Sequence, residues 1–137
     1  MMHQAVGSFD VKVSPQPAQD AVGDPSIGRM SIDKTFHGGL EATSKGQMLA
    51  ALTDVKGSAG YVAIERVAGT LDGRSGTFAL QHSGTMTRGT PQLSVTVVPD
   101  SGTGQLAGLS GKMAINIIGG NHFYEFDYAI ASEASLA

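Results

Sequence analysis

Tyr61, Glu65 and His82 are the residues whose types and spacing could do chemistry. They sit on two alternating runs, 60–71 and 74–87, that meet at Asp72-Gly73, a strong short-range signal for a two-residue hairpin turn. Such a turn sets Leu71 against Arg74. Counting outward, it pairs Val67 with Phe78, Glu65 with Leu80, Ala63 with His82 and Tyr61 with Gly84. One face then carries Tyr61, Glu65 and His82 among Val67, Phe78 and Leu80. Glu65 and His82 fall diagonally across adjacent strands, within reach of a water-mediated or direct hydrogen bond. Burial raises a carboxyl pKa and lowers that of an imidazole, and pairing opposes both shifts. Either group is therefore a candidate proton donor or acceptor, and Tyr61 could orient a ligand oxygen beside them. If the face pointed outward instead, or the pair were only a satisfied hydrogen bond, no site would exist here.

The other polar groups offer less. The opposite face of the hairpin holds Arg66 and Gln81 with Val62, Ile64, Ala68 and Ala79. A wall apolar on both faces points either to tight packing inside with a subunit contact outside, so that a homodimer or other homo-oligomer is expected, or to an inside large enough to hold something. His37 precedes Gly38-Gly39 and shares a face with Asp33, while Glu41 follows; these read as solvated residues near a bend. His122 shares a face with Tyr124, Phe126 and Tyr128, with Glu125 and Asp127 opposite, an ordinary half-buried alternation. His3, His37, His82 and His122 lie far apart, and no HxH, HExxH or calcium-loop spacing occurs, so no metal site is expected. Gly102 to Ala107 fits GxGxxA and Gly111-Lys112 suggests a phosphate loop. The first does not open a helix and the second lacks its first glycine and its Ser/Thr. No GxSxG elbow is present, and no cofactor is expected.

Composition bounds what kind of object carries these residues. The chain has 137 residues, 41% hydrophobic and 15% charged, which suits a single folded domain spanning 1–137. With no cysteine, disulfides, thiol catalysis and cysteine-held metals are excluded. Nine basic against twelve acidic residues give a net charge of −3 without a basic cluster, so nucleic acid is not an expected partner. The N-terminus, MMHQAVGSFDVKV, has no basic stretch followed by a long apolar run, and no segment approaches the roughly 18 apolar residues of a membrane span. A cytoplasmic protein without a membrane partner is expected.

Nineteen glycines recur at short intervals between β-rich runs, the punctuation of an all-β chain. Strands are expected at about 5–13, 29–43, 47–55, 60–71, 74–87, 92–98, 104–118 and 121–131. Turns fall at Ser44-Lys45-Gly46, Lys56-Gly57-Ser58, Asp72-Gly73, Arg88-Gly89-Thr90-Pro91, Asp100-Ser101-Gly102 and Gly119-Gly120-Asn121. Gly38-Gly39 is read as a bulge that bends the second strand. Gln47 to Leu52, QMLAAL, is read as strand although its residues also favour helix. An irregular proline-rich connection is expected over about 14–27, and a C-terminal tail over about 132–137. Eight long antiparallel strands with internal glycines suit a single up-and-down barrel better than stacked sheets.

Three runs carry a resemblance: MSIDKTFHGGLEATSKGQML, GSAGYVAIERVAGTLDGRSGTFALQHSGTM and QLSVTVVPDSGTGQLAGLSGKMAI. Together, from Phe9 to about Tyr128, the chain resembles a bacterial family classed as a domain of unknown function. The resemblance implies a small eight-stranded antiparallel barrel, similar in fold to the allene oxide cyclases of plants. GTGQLAGLSGK is also similar to the glycine-rich strand of those barrels. No activity comes with the resemblance.

Three functions fit. The first is a barrel that holds a small, largely apolar ligand, with Tyr61, Glu65, His82, Phe78 and Leu80 on its wall. The second is an isomerase or cyclase using Glu65 or His82 for proton transfer. The third is a filled barrel, packed by Phe78, Leu80, Met86 and Met113, that acts through self-assembly.

Overall fold

The computed structural model describes residues 1–17 and 23–131. Eight antiparallel strands close into one barrel in chain order: β1 (His3–Pro15), β2 (Ile27–Gly38), β3 (Leu40–Leu52), β4 (Ala59–Leu71), β5 (Arg74–Thr87), β6 (Thr90–Val97), β7 (Leu109–Ile118) and β8 (Asn121–Ile130). β8 returns to β1, pairing Tyr128 with His3 and His122 with Phe9. The β4–β5 hairpin has the register expected from Asp72-Gly73, including Glu65 opposite Leu80 and His82 opposite Ala63. Asp72 and Gly73 both have positive φ, as a tight hairpin turn needs. The tail over 132–137 and the middle of the proline-rich connection lie outside the described residues; β1 runs on to Pro15 and β2 begins at Ile27.

Two expected boundaries are corrected. Gly38-Gly39 is a chain reversal and not a bulge: β2 ends at Gly38, whose φ of +109° suits glycine, and β3 starts at Leu40. Backbone bonds fix the reversal, since Gly39 N donates to Val6 O at 3.1 Å and Asp72 N donates to Gly39 O at 2.7 Å. β3 therefore passes straight through Ser44-Lys45-Gly46, where a turn was expected, and QMLAAL is strand. The second correction concerns 104–118, where only Leu109–Ile118 is strand. Gly104–Leu106 is a single 3-10 turn that sends Leu106 into the core. Its flanks replace a strand along the lower edge of β5: Ser101 Oγ, Thr103 Oγ1 and Gln105 Oε1 accept from the backbone N–H of Ala79, Thr77 and Ser75. Side-chain oxygens thus satisfy donors that β6 does not reach.

The barrel axis is lined by odd residues of β1, β4, β6 and β7 and by even residues of β2, β3, β5 and β8, because directly opposed residues share a face. The end bearing Gly38-Gly39, Asp72-Gly73 and the 98–108 connection is closed. Leu40, Leu71, Phe78, Leu80, Leu106, Phe126 and Tyr128 pack there without exposure. Phe78 stacks on Phe126 at 5.8 Å, and Tyr128 donates its hydroxyl to Asp72 across the end. Tyr124 joins the β2–β3 reversal to β8, accepting from Leu40 N at 2.9 Å and donating to His37 O at 2.8 Å. The wall is uneven: among the described residues β6 and β7 are in register at Thr96 and Lys112 alone, whereas β4 and β5 are paired from Ala59–Met86 to Leu71–Arg74.

Tyr124→Phe removes a hydroxyl whose partners are a buried backbone N–H and a carbonyl. The expected loss is about 1–3 kcal/mol in urea-unfolding free energy, with an unchanged strand signature by circular dichroism. A neutral outcome would mean that the reversal holds without Tyr124.

Candidate functional site

Glu65 is the centre of the polar interior. Its strand faces the axis with Val67 and Ala63 beside it, and the carboxylate is fully buried. Three side chains from three other strands converge on it. Lys34 Nζ of β2 is 2.7 Å from Oε2, His82 Nε2 of β5 is 2.5 Å from the same oxygen, and Ser44 Oγ of β3 donates to Oε1 at 2.8 Å. Lys34, Ser44 and His82 are themselves buried. Lys34 is also held over the Phe9 ring, 4.8 Å from its centroid, and 5.7 Å from that of Phe36, so its charge meets aromatic faces where water would otherwise solvate it. Among the described residues, no buried side-chain polar atom lacks a partner.

A strand glycine makes room for this arrangement. Gly46 lies opposite Glu65, and a Cβ there would come within 2.3 Å of Ile64 O and 2.7 Å of the Glu65 Cα. Any side chain at 46 would therefore push β4 away from β3 at the level of the carboxylate.

The electrostatics follow from the contacts. Burial pushes the Glu65 pKa up, but the His82 hydrogen bond and the charge and hydrogen bond of Lys34 outweigh it, holding the group at about 2 against an ordinary 4.5. Glu65 is thus a carboxylate near neutral pH and accepts every bond it makes. His82 must carry its proton on Nε2, and in the neutral ring Nδ1 keeps the lone pair. Tyr61 lies on the same face, its ring 6.5 Å from that of His82 and against Gly84. Its phenol is pushed up by burial and by the Glu65 charge, so it stays a hydrogen-bond donor.

The structure brings Tyr61, Glu65 and His82 to one interior face. Phe78 and Leu80 lie on that face too, one step nearer the closed end, within the packed core. Arg66 and Gln81 are on the outer wall. His37, Asp33 and Glu41 do not form a cluster: His37 meets Asp10 at 3.2 Å, Asp33 meets Lys45 at 3.7 Å, and Glu41 accepts from Gly38 N at 2.7 Å. His122 is half-buried against Phe9, with ring centroids 5.1 Å apart. Among the described residues no group of three His, Cys, Asp or Glu could hold a metal ion. Two members of the network were not anticipated. Lys34 was legible in MSIDKTF, where alternation puts it between Ile32 and Phe36 on an apolar face. Ser44 was hidden by the turn expected at that position.

From residue 5 to residue 128 the chain matches the profile of a family described as "Protein of unknown function (DUF3224)". The chain belongs to the DUF3224 family. A crystal structure of a protein of unknown function from the same family, from Shewanella oneidensis MR-1, is similar to it with a TM-score of 0.86 and 55% identity, covering 95% of this chain and 98% of that one. Comparison with curated proteins gives no match. DUF3224 membership thus agrees with the barrel and names no activity or ligand. Among the described residues no helix is long and apolar enough to cross a membrane.

Glu65→Leu leaves Lys34 charged in an apolar interior, with an expected cost of about 3–5 kcal/mol at neutral pH, while Lys34→Met with Glu65→Leu recovers most of it because both charges leave together. Urea unfolding of the two variants checks this, and equal losses would show that the ion pair is not the coupled unit. A pH series on the wild type provides a second test. Since the folded pKa of Glu65 lies below its unfolded one, the stability it contributes is complete above about 4.5 and is lost as pH falls toward about 2. Glu65→Gln should flatten that acid limb relative to wild type, and parallel acid limbs would count against the assignment.

Proposed function

We propose that this barrel binds one small, largely apolar ligand in its open half, above the Lys34–Glu65–His82 network. The observation that carries this reading is the contrast between the two halves of one interior face. Residues toward the closed end are buried, yet at the other end axis-facing Val13 is 46% exposed, Met86 43%, Leu93 41% and Ile117 66%. Phe78, Leu80 and Met113 fill the closed half; Met86 stands at the rim. The sparse β6–β7 pairing flanks the same region, with Leu93 on one strand and Ile117 on the other.

Magnitudes say what kind of ligand this supports. Covering four half-exposed side chains contributes on the order of 3–6 kcal/mol, a millimolar-class affinity before any cost of binding. Useful affinity therefore requires the polar floor, where the Tyr61 hydroxyl offers a donor and His82 Nδ1 an acceptor. A buried ion pair adds little net stability compared with apolar packing. A charged network placed beneath an apolar mouth is better accounted for by recognition than by folding.

A second reading has one specific observation behind it, the 2.5 Å contact between the Glu65 carboxylate and the His82 imidazole. A carboxylate that fixes the tautomer of a histidine prepares the other nitrogen to take a proton. In that case His82 transfers the proton, and Glu65, held as a carboxylate, positions it.

Titration with 1-anilinonaphthalene-8-sulfonate, with native mass spectrometry of protein purified from cells, tests the binding reading. The expected results are saturable dye binding weakened about tenfold or more by Ile117→Asp and by Tyr61→Ala, and a retained mass displaced by the dye. Dye binding untouched by both substitutions would place the dye on the outer wall and remove the proposal.

A further inference from the structure

The outer wall carries two apolar patches of unlike charge, on opposite sides of the barrel. On β3, β4 and β5, exposed Leu49, Val62 and Ile64 line a groove of about 820 Å³ together with Arg29, Lys45 and Arg66. Among the described residues Asp33, bridged to Lys45, is the one carboxylate at that level, against three cations. On β7, β8 and β1, exposed Val6, Phe123 and Ile118 line a second depression together with Glu125. Asp10, met by His37, and Asp127, opposite Lys112, flank this second patch. Glu125, paired with Val6, stands within the apolar strip itself. In a ring of eight strands, β4 and β8 lie four apart, hence on opposite walls.

We propose that the chain associates with further copies of itself head to tail, the β3–β5 wall of one copy receiving the β7–β1 wall of the next. Charge favours this pairing over a twofold contact. Placing the first wall on itself would set Arg29, Lys45 and Arg66 against their own copies, whereas the heterologous contact sets them against Glu125. Apolar strips at the centre with charges around them are the usual anatomy of a protein interface. Because the walls are opposite, each copy can use both at once, and the contact propagates beyond a dimer. This inference does not rest on the ligand reading, since neither wall faces the interior.

Sedimentation equilibrium across a concentration series, at low and high salt, tests the proposal. The weight-average mass should rise past twice that of the monomer at low salt and fall at high salt. Ile64→Asp disables one wall and Phe123→Asp the other; each variant alone should be monomeric with an unchanged melting curve. An equimolar mixture of the two retains one intact wall of each kind and should give a capped species of twice the monomer mass. A wild type that stays monomeric throughout, or association abolished by Ile64→Asp and indifferent to Phe123→Asp, overturns the head-to-tail arrangement. If either aspartate variant melts early, Arg66→Glu and Glu125→Lys replace the pair. Each should then be monomeric alone, and their mixture should associate through the swapped charges.

Discussion

One carboxylate ties four consecutive strands together. Glu65 belongs to β4, and its two oxygens accept from Lys34 on β2, Ser44 on β3 and His82 on β5. Half of the barrel wall is thereby referenced to a single buried group. A one-residue slip of any of these strands would turn its polar member outward and leave the fully buried Glu65 short of a partner. The hydrophobic pattern sets which face turns inward. The Glu65 network makes the register between neighbours costly to change, an effect on uniqueness more than on net stability.

The network also marks where the interior changes character. Toward the Gly38-Gly39 and Asp72-Gly73 end, aromatic rings and leucines fill the axis, and Leu106 enters from the 98–108 connection. Hydrogen bonds from Tyr124 and Tyr128 pin the β2–β3 and β4–β5 turns at that end to β8. Above the network, the same alternation continues but Val13, Met86, Leu93 and Ile117 are exposed, and β6 and β7 pair sparsely. Burial and exposure are thus segregated along the barrel axis. The polar groups at their boundary gain fixed geometry from below while remaining near the open end, where Tyr61 is only half-buried. Preorganisation of this kind reduces the ordering cost that a bound molecule would otherwise incur.

The hairpin around Asp72-Gly73 was legible to the residue because its turn chemistry dictates loop length, and loop length dictates every cross-strand pair. From that register alone, Tyr61, Glu65 and His82 share a face. The reversal at Gly38-Gly39 was not legible, since two glycines fit a bulge and a turn equally well. What decides between them is the approach of Val6 and Asp72, both remote in sequence. The misplaced turn removed Ser44 from consideration. Lys34 was passed over because a lysine in a strand is ordinarily a solvent-facing residue, and only the position of Glu65 makes its burial affordable. The GTGQLA segment looked like strand by composition, but β5 needed acceptors for its lower edge and took them from Ser101, Thr103 and Gln105 side chains. Local signals therefore gave what local geometry determines, and long-range partnership decided the rest.

Within the network, the roles of the two titratable partners separate. A group held at about 2 by an ammonium and an imidazole is a fixed negative charge under ordinary conditions, so Glu65 contributes position and electrostatics. His82 is the adaptable member: its Nε2 is committed to Glu65, and its second nitrogen is the part of the network whose hydrogen bonding can change without breaking the tie between strands. Lys34 and Glu65 already balance each other, so the tie between the strands places no net charge in the apolar interior. The tie that holds the strands in register therefore commits one imidazole nitrogen and leaves the other outside the Glu65 contacts.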